Sequence, residues 1–216
     1  MSEVVVLYKT KYGSSKKYAA WIAEEVGAEI FNVDDFNPGN LHNCNVIVYG
    51  GSLYATGIIE LPGFRKSIET LKDKKVIVFS VGASPAKPEV REDIKAKNFS
   101  LEMARFVEFY HLRGGFDFKK LKLRDKILMP MLKMKLKAKK KRGEELTDDE
   151  KGMIAAYRSA VDFTSTKATE PVVESVTRFL EKERLQINLS GGSHLGISSE
   201  SDKLTVSSSS LDPKGS

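Results

Sequence analysis

The chain begins with an apolar, β-branched run that is followed at once by a polar turn and an amphipathic helix. Residues 4–8 read Val-Val-Val-Leu-Tyr, which is typical of a strand buried on both faces of a parallel sheet. Beyond the polar residues 9–15, Tyr18, Ile22 and Val26 recur at four-residue spacing, which predicts a helix. The first N–H groups of a helix lack backbone partners and lie at the positive end of its dipole. This turn therefore predicts a phosphate site.

The turn itself supplies further donors. Thr10, Ser14 and Ser15 carry hydroxyl groups, and Gly13 is expected to let the backbone approach an anion closely. The pattern Thr-x-x-Gly-x-Ser is neither a GxxxxGK[ST] loop nor a GxGxxG dinucleotide fingerprint. Glycine and serine also cap ordinary helices, so the turn alone leaves phosphate binding and simple capping both open.

Strands and helices alternate along the rest of the chain. Further strands are predicted at 28–33, 46–49, 76–79 and 107–112. Helices are predicted over 62–71, after Pro88, and over 101–105, 148–161 and 170–183. Ser100 is expected to cap the helix over 101–105, and Thr169 the one over 170–183. Alternation of this kind predicts an α/β fold, a doubly wound parallel sheet with helices on both faces. Ligands of such sheets bind outside the carboxyl ends of the strands. The exits of the first, third and fourth strands are small, polar and glycine-rich, so we expect them to converge on one site.

These three exits, residues 10–15, 52–57 and 80–85, resemble the cofactor loops of flavodoxins. Within that superfamily the segments GGSLYATG, FSVGASPAKPE and LRGGFDF, together with a long basic insert, resemble the branch that contains menaquinone-dependent protoporphyrinogen dehydrogenase. The resemblance spans roughly residues 3–183. It implies a flavodoxin-like, five-stranded parallel sheet of order 2-1-3-4-5, with FMN as cofactor. Its phosphate would lie in the first loop and its isoalloxazine between the other two.

The resemblance places the cofactor contacts in these loops, and backbone N–H groups of the second and third are expected to bond the pyrimidine ring. Tyr54 is expected either to stack on the flavin or to cover the sheet edge. Tyr12 stands where flavodoxins have threonine, which removes one phosphate hydroxyl. Arg113 either balances a negative flavin or substrate, or forms a surface ion pair. No catalytic residue is assigned. The predicted cofactor-binding residues are Thr10, Lys11, Tyr12, Gly13, Ser14, Ser15, Ser52, Leu53, Tyr54, Ala55, Thr56, Gly57, Ser80, Val81, Gly82 and Ala83.

Other chemistries find little support. His42, His111 and His194 have no metal-ligand spacing, so no metal site is predicted and each is expected to be structural or exposed. The single cysteine, Cys44, excludes an intramolecular disulfide and fits a reducing cytoplasm. The sequence contains no apolar run long enough to span a membrane.

Charge is distributed unevenly. The chain carries a net charge of +6, yet residues 119–142 hold twelve Lys or Arg and one acid, a local charge of +11 that leaves −5 for the rest. Leu, Ile and Met alternate with lysine in this basic insert, with Pro130 as an expected kink. Such a segment is typical of a helix lying on an anionic membrane surface. Packing of its apolar side on the domain is the alternative. Nucleic acid is disfavoured because aromatic residues and recognised motifs are lacking.

The predicted organisation is a domain of residues 1–185 and a tail of residues 186–216. Ten serines and four glycines among the tail's thirty-one residues predict a disordered or artificially appended segment. The expected function is that of an FMN-binding oxidoreductase acting on a quinone or another small redox substrate. We expect a cytoplasmic protein attached to the inner face of the cell membrane. A soluble electron carrier without its own substrate is the alternative, and a flavin-free binding protein is a third class.

Overall fold

The computed structural model describes residues 3–54, 57–61, 64, 70–115, 117, 134, 136–145 and 160–191. The chain divides into two units, residues 1–180 and residues 181–216. The first unit contains the sheet. The described residues of the second unit are helical, and Leu185, Ile187 and Leu189 are exposed there. Within the described part of the chain, no helix combines the length and apolar character needed to cross a membrane.

The sheet has the predicted topology. Its strands are β1 (Val4–Lys9), β2 (Glu29–Asn32), β3 (Val46–Tyr54), β4 (Gly57–Ile58), β5 (Lys75–Gly82) and β6 (Val107–Arg113). The order β2-β1-β3-β5-β6 is parallel throughout, and the two-residue β4 pairs antiparallel with β3. With β4 set aside, this is the predicted order 2-1-3-4-5. The α/β, flavodoxin-like fold class is confirmed.

Two strands run further than predicted, into residues that were expected to be loop. Strand β3 continues to Tyr54, which pairs with Gly57 in a hairpin. Strand β5 continues to Gly82, because its parallel pairing with β3 extends as far as Ser52 opposite Val81. The polar composition suggested loops, but backbone pairing to neighbouring strands does not depend on apolar side chains.

The α-helices with both ends described are α1 (Ser14–Val26), α2 (Pro88–Asn98), α3 (Met103–Phe106) and α4 (Glu170–Gly191), and the 3₁₀ turns lie at Val33–Asp35, Pro38–Asn43 and Thr166–Thr169. Residues 136–141 of the basic insert are also helical. The predicted helix over 62–71 lies largely outside the described residues. The one over 148–161 does so except at residues 160–161, which are not helical. The Ser100 cap is confirmed, since its Oγ accepts from the Met103 N–H at 3.2 Å.

The Thr169 cap is wrong. This residue ends a 3₁₀ turn, and its hydroxyl donates to the Thr166 carbonyl at 2.6 Å; no bond among the described residues has it accept from the first N–H groups of α4. Helix α4 also continues through residues 186–191, which were assigned to the tail. Gln, Ile, Asn and Leu there extend an established helix at little cost. Residues 192–216 lie outside the described part.

Side chains of the central strands alternate between two cores. Val5, Leu7 and Ile47 point into one, with Ile94 of α2, while Val4, Val6 and Val48 point into the other, with Ile22 of α1 and Val176 of α4, among others. This alternation is the period-2 pattern of a strand with both faces covered. The continuous apolar runs in the sequence have this cause.

A polar network also joins α4 to the sheet. Glu108 on β6 is paired with Lys75, accepts from the Ser175 hydroxyl at 2.7 Å, and accepts from the Tyr110 hydroxyl. Partial burial raises the pKa of Glu108, but the bonds from these three donors together outweigh it and lower the pKa. Burial and, after it, the same carboxylate raise the pKa of Tyr110 to about 12.

Close packing at Gly50 yields a test of the fold. A Cβ at this position would lie 2.0 Å from Cζ of Phe79, whose side chain is fully buried. We expect Gly50→Ala to lower the free energy of unfolding in denaturant titrations by roughly 1–3 kcal/mol, as in other overpacked cores. Gly57→Ala is the matched control, since its Cβ would meet only the Tyr54 carbonyl oxygen at 3.6 Å. Equal stability of the two variants would contradict the packing at Gly50.

Candidate functional site

Helix α1 begins without a side-chain cap. Its N-cap is Gly13, with φ 97° and ψ −25°, and the helix opens with the Lys17 N–H donating to the Gly13 carbonyl at 3.0 Å. The N–H groups of Ser14 and Ser15 therefore lie at an uncapped, positively polarised helix end. The backbone conformation gives a reason for glycine besides the expected approach of an anion. A Cβ at Gly13 would meet nothing within 4 Å, and it is the positive φ that requires glycine.

Two of the three predicted hydroxyl donors are held by backbone N–H groups. Thr10 Oγ1 accepts from the Gly13 N–H at 2.9 Å, and Ser14 Oγ accepts from the Gly115 N–H at 3.1 Å. A hydroxyl whose oxygen accepts a hydrogen bond still has its own O–H to donate. Both side chains are thus oriented by the fold while keeping a donor for an anion.

Ser15 has a different position. Its side chain is fully buried, and its Oγ lies 2.9 Å from the Oγ of Ser52. The Ser52 Oγ also accepts from the Lys11 N–H at 3.1 Å. These contacts tie the first loop to the end of β3. Of the predicted residues, Ser15 and Ser52 therefore contact each other and hold two loops together.

Tyr54 carries a cation on one face of its ring. The Lys11 Nζ lies 3.2 Å from the Tyr54 ring centroid and 5.5 Å from that of Tyr12, distances typical of cation–π contacts. Any planar ligand stacking on Tyr54 must use the other face or displace the ammonium group. Ala55 and Thr56, which were also predicted to bind the cofactor, lie outside the described residues.

The third predicted loop is partly strand. Ser80 is fully buried, and Val81 is buried as well. The Ser80 Oγ lies 2.8 Å from His111 Nδ1, so this hydroxyl faces the protein interior. The surface of the loop consists of Gly82, Ala83 and the residues that follow.

Strand β6 reaches the same edge. The Gly114 N–H donates to the Gly82 carbonyl at 2.7 Å, and Arg113 Nε donates to the Ala83 carbonyl at 3.1 Å. The Arg113 guanidinium also lies 3.6 Å above the centroid of Phe163. Both roles considered for Arg113 involved a negative partner, whereas these described contacts are with a carbonyl and an aromatic ring.

Several residues at this edge were not predicted. His111 faces inward from β6, a position that period-2 alternation along the strand would have indicated. Asp162 pairs with Lys17 of α1 at 3.1 Å and accepts from the Thr164 N–H at 3.0 Å. The bonds from Thr164 and Lys17 lower the pKa of Asp162. No local motif marks Asp162, which follows β6 by about fifty residues.

The convergence itself is confirmed by geometry. The ends of β1, β3, β5 and β6 meet at one edge, where an uncapped helix N-terminus and two oriented hydroxyls fit a phosphate monoester. Among the described residues, no three His, Cys, Asp or Glu side chains gather as metal ligands.

Comparison with known proteins places the chain in a family. The model of the flavodoxin domain matches residues 5–143. An uncharacterized protein of Methanocaldococcus jannaschii is 28% identical over 126 residues, which cover 53% of this chain and 80% of that protein.

Two solved structures are similar at lower identity. Oxidised Flavodoxin 1 from Bacillus cereus is 18% identical with a TM-score of 0.38, covering 52% of this chain and 84% of its own. Two-electron reduced Megasphaera elsdenii flavodoxin is 17% identical with a TM-score of 0.38, covering 50% and 84%. Because the family model spans well over half of the sequence, the chain belongs to the flavodoxin domain family, and its cofactor is FMN.

Proposed function

We propose that the chain is an FMN-dependent oxidoreductase that works at a membrane surface and passes electrons to a quinone. The observation that carries the redox assignment is the uncapped N-terminus of α1 at the edge where three strand exits meet. The membrane and quinone parts rest on the charge of the basic insert and on the resemblance to quinone-linked dehydrogenases.

The described residues divide the task of holding FMN. The N–H groups of Ser14 and Ser15 and the hydroxyls of Thr10 and Ser14 would bind the phosphate. The ends of β3 and β5 would flank the isoalloxazine, which supplies one- and two-electron transfer when bound. The protein's own part is to bind the phosphate, orient the ring and limit the approach of water.

The basic insert supports the proposed location. In its described part, Leu136 is buried and Lys137, Lys140 and Lys141 are exposed. An exposed lysine near an anionic leaflet contributes about 1 kcal/mol of attraction. The burial of Leu136 supports packing of one apolar residue on the protein, while the exposed lysines remain available to lipid headgroups. We propose a cytoplasmic protein attached at the inner face of the membrane.

A second candidate, a soluble electron carrier, is favoured by the described contacts of the titratable groups at this edge. Lys11 lies on Tyr54, His111 lies between Ser80 and Ser84, and Arg113 bonds the Ala83 carbonyl. Each of these three side chains has described contacts with the protein itself. An electron carrier needs no group for proton transfer, whereas an enzyme that oxidises a porphyrinogen or a similar donor must pass protons to solvent or to the cofactor.

The phosphate site is tested by the two left-handed glycines at the ends of α1. Gly13 and Gly27 both have positive φ, and a Cβ at either would meet nothing within 4 Å. Alanine strains the backbone at both positions by about 1–2 kcal/mol, but only Gly13 adjoins the phosphate site. We expect Gly13→Ala to weaken FMN binding about tenfold relative to riboflavin, measured by flavin fluorescence titration. Gly27→Ala should lower stability without changing this ratio. Wild-type protein that binds the two flavins equally would refute the phosphate assignment.

Enzyme and carrier are separated by reduction kinetics. The FMN-loaded protein is reduced anaerobically and mixed with a menaquinone analogue in a stopped-flow instrument, and the oxidised protein is separately mixed with a porphyrinogen. The proposal expects both reactions to exceed the rates with free FMN. Rates equal to those of free FMN, combined with ready reduction by a ferredoxin-type reductase, would establish the carrier instead.

The basic insert is tested with vesicles. We expect the protein to sediment with anionic vesicles at low salt and to be released as salt rises, because the attraction is screened within about 8 Å at physiological ionic strength. Replacing Lys137, Lys140 and Lys141 by Glu should abolish binding and leave FMN content unchanged. The control replaces Lys87, Lys97 and Lys182, which are also exposed, and makes the same charge change elsewhere. Equal loss in both variants, or no binding by wild type, would contradict a membrane role for the insert.

A further inference from the structure

Three successive carbonyl groups after β5 accept hydrogen bonds from the end of β6. Gly82 O accepts from the Gly114 N–H at 2.7 Å, Ala83 O from Arg113 Nε at 3.1 Å, and Ser84 O lies 3.2 Å from His111 Nε2. Two of these donors are side chains, on alternate residues of one strand. The segment 82–84, called here the β5 exit, is thus held along its whole length from one side.

This arrangement determines where the amide groups of the β5 exit point. The carbonyl of one residue and the N–H of the next lie on opposite sides of a trans peptide plane, and no cis peptide occurs among the described residues. With Gly82 O and Ala83 O directed at β6, the N–H groups of Ala83 and Ser84 are directed away from it. Within the described part of the chain, neither N–H donates to a protein acceptor.

The tautomer of His111 follows from its two partners. Ser84 O can only accept, so Nε2 carries the proton and donates, while Nδ1 accepts from the Ser80 hydroxyl at 2.8 Å. Both Ser80 and His111 are buried, with relative exposures of 0% and 4%. The imidazole also packs against the β5 exit, since a Cβ on Gly82 would lie 3.2 Å from its Cε1. The Ser84 carbonyl thereby fixes the proton on Nε2, and the Ser80 hydroxyl satisfies the other ring nitrogen.

We propose that His111 is a positioning residue for the flavin. By donating to the Ser84 carbonyl, it fixes the C-terminal end of the β5 exit. The Ala83 and Ser84 N–H groups are thereby kept in place as a pair of donors to the isoalloxazine ring. The residue after Ser84 is Pro85, which has no N–H. The peptide between Ser84 and Pro85 thus carries only a carbonyl, and His111 holds it. The N–H groups of Ala83 and Ser84 belong to the two preceding peptides and stay available to the ring. This inference rests on the proposed placement of FMN at this edge.

The experiment compares two variants in which an amide replaces the imidazole, each of which keeps only one of the two hydrogen bonds of His111. The Gln side-chain amide reaches the place of Nε2, so His111→Gln retains a donor for Ser84 O. The Asn amide reaches only the place of Nδ1, so His111→Asn keeps a partner for Ser80 and loses the bond to Ser84. Dissociation constants for FMN and riboflavin are measured for each variant, together with the visible absorption spectrum of bound flavin and the thermal unfolding temperature of the flavin-free protein.

The expected result is that His111→Asn weakens FMN and riboflavin by the same factor, roughly tenfold, and shifts the visible flavin bands. His111→Gln should stay within about twofold of wild type. The two flavins should lose affinity by the same factor because both carry the ring that the β5 exit would contact. Gly13→Ala should instead change the ratio of the two dissociation constants, because only FMN carries a phosphate. If His111 had a purely structural role, flavin binding by both variants would weaken in proportion to the fall in their unfolding temperatures, and the absorption spectrum of bound flavin would not change. That result would overturn the proposal.

A second variant keeps the test decisive if His111→Asn does not fold. Arg113→Lys keeps the positive charge and moves the donor away from Ala83 O, at a more exposed position. It too should weaken the binding of both flavins by one factor. Unchanged affinities would show that the bonds from β6 to the β5 exit do not position the ring, and that result would overturn the proposal. The outcomes also separate this inference from the proposed function. Wild type that binds no flavin refutes the placement of FMN, whereas wild type that binds tightly together with an unaffected His111→Asn refutes only the role of His111.

Discussion

The arrangement of the site depends on the register of four parallel strands. Lys9 of β1 pairs with Gly51 of β3, Gly51 with Ser80 of β5, and Ser80 with His111 of β6. These residues form one row across the sheet, so the four strands end within a few residues of the same row. A parallel register of this kind brings every strand exit to one edge. The phosphate-type turn, the β3 hairpin and the β5 exit are neighbours for this reason.

Buried polar groups at that edge are satisfied by one another. Ser15 bonds Ser52, and Ser80 bonds His111. Ser15 and Ser80 are fully buried. A buried hydroxyl without a partner costs about 1–3 kcal/mol, so these pairs favour one arrangement of the exits over alternatives. They tie the loops to the sheet and leave backbone N–H groups as the donors that face outward. The same bonds therefore stabilise the fold and prepare the site.

Charge separates the binding function from the proposed location. The rest of the chain carries −5 and the insert +11, and the family match continues through the insert to residue 143. The positive helix end that suits a phosphate is a local feature of α1 and owes nothing to this net charge. The two functions thus rest on different physical interactions, one on oriented dipoles at short range and the other on screened attraction between ions. Variants can test them independently.

The sequence by itself determined the strands of the sheet and the turn that precedes α1, because apolar periodicity and glycine position are local properties of residues such as Val4, Gly13 and Tyr18. The strand order followed from the resemblance to flavodoxins and not from any local pattern. The sequence placed the strand ends too early at β3 and β5, since pairing between distant strands is not visible in composition. Only the tertiary structure decided that Ser80 and Ser15 face inward, that Lys11 lies on Tyr54, and that His111 holds Ser84. Those contacts join residues between 27 and 43 positions apart, and their geometry depends on the register of the sheet and on no pattern within any one segment.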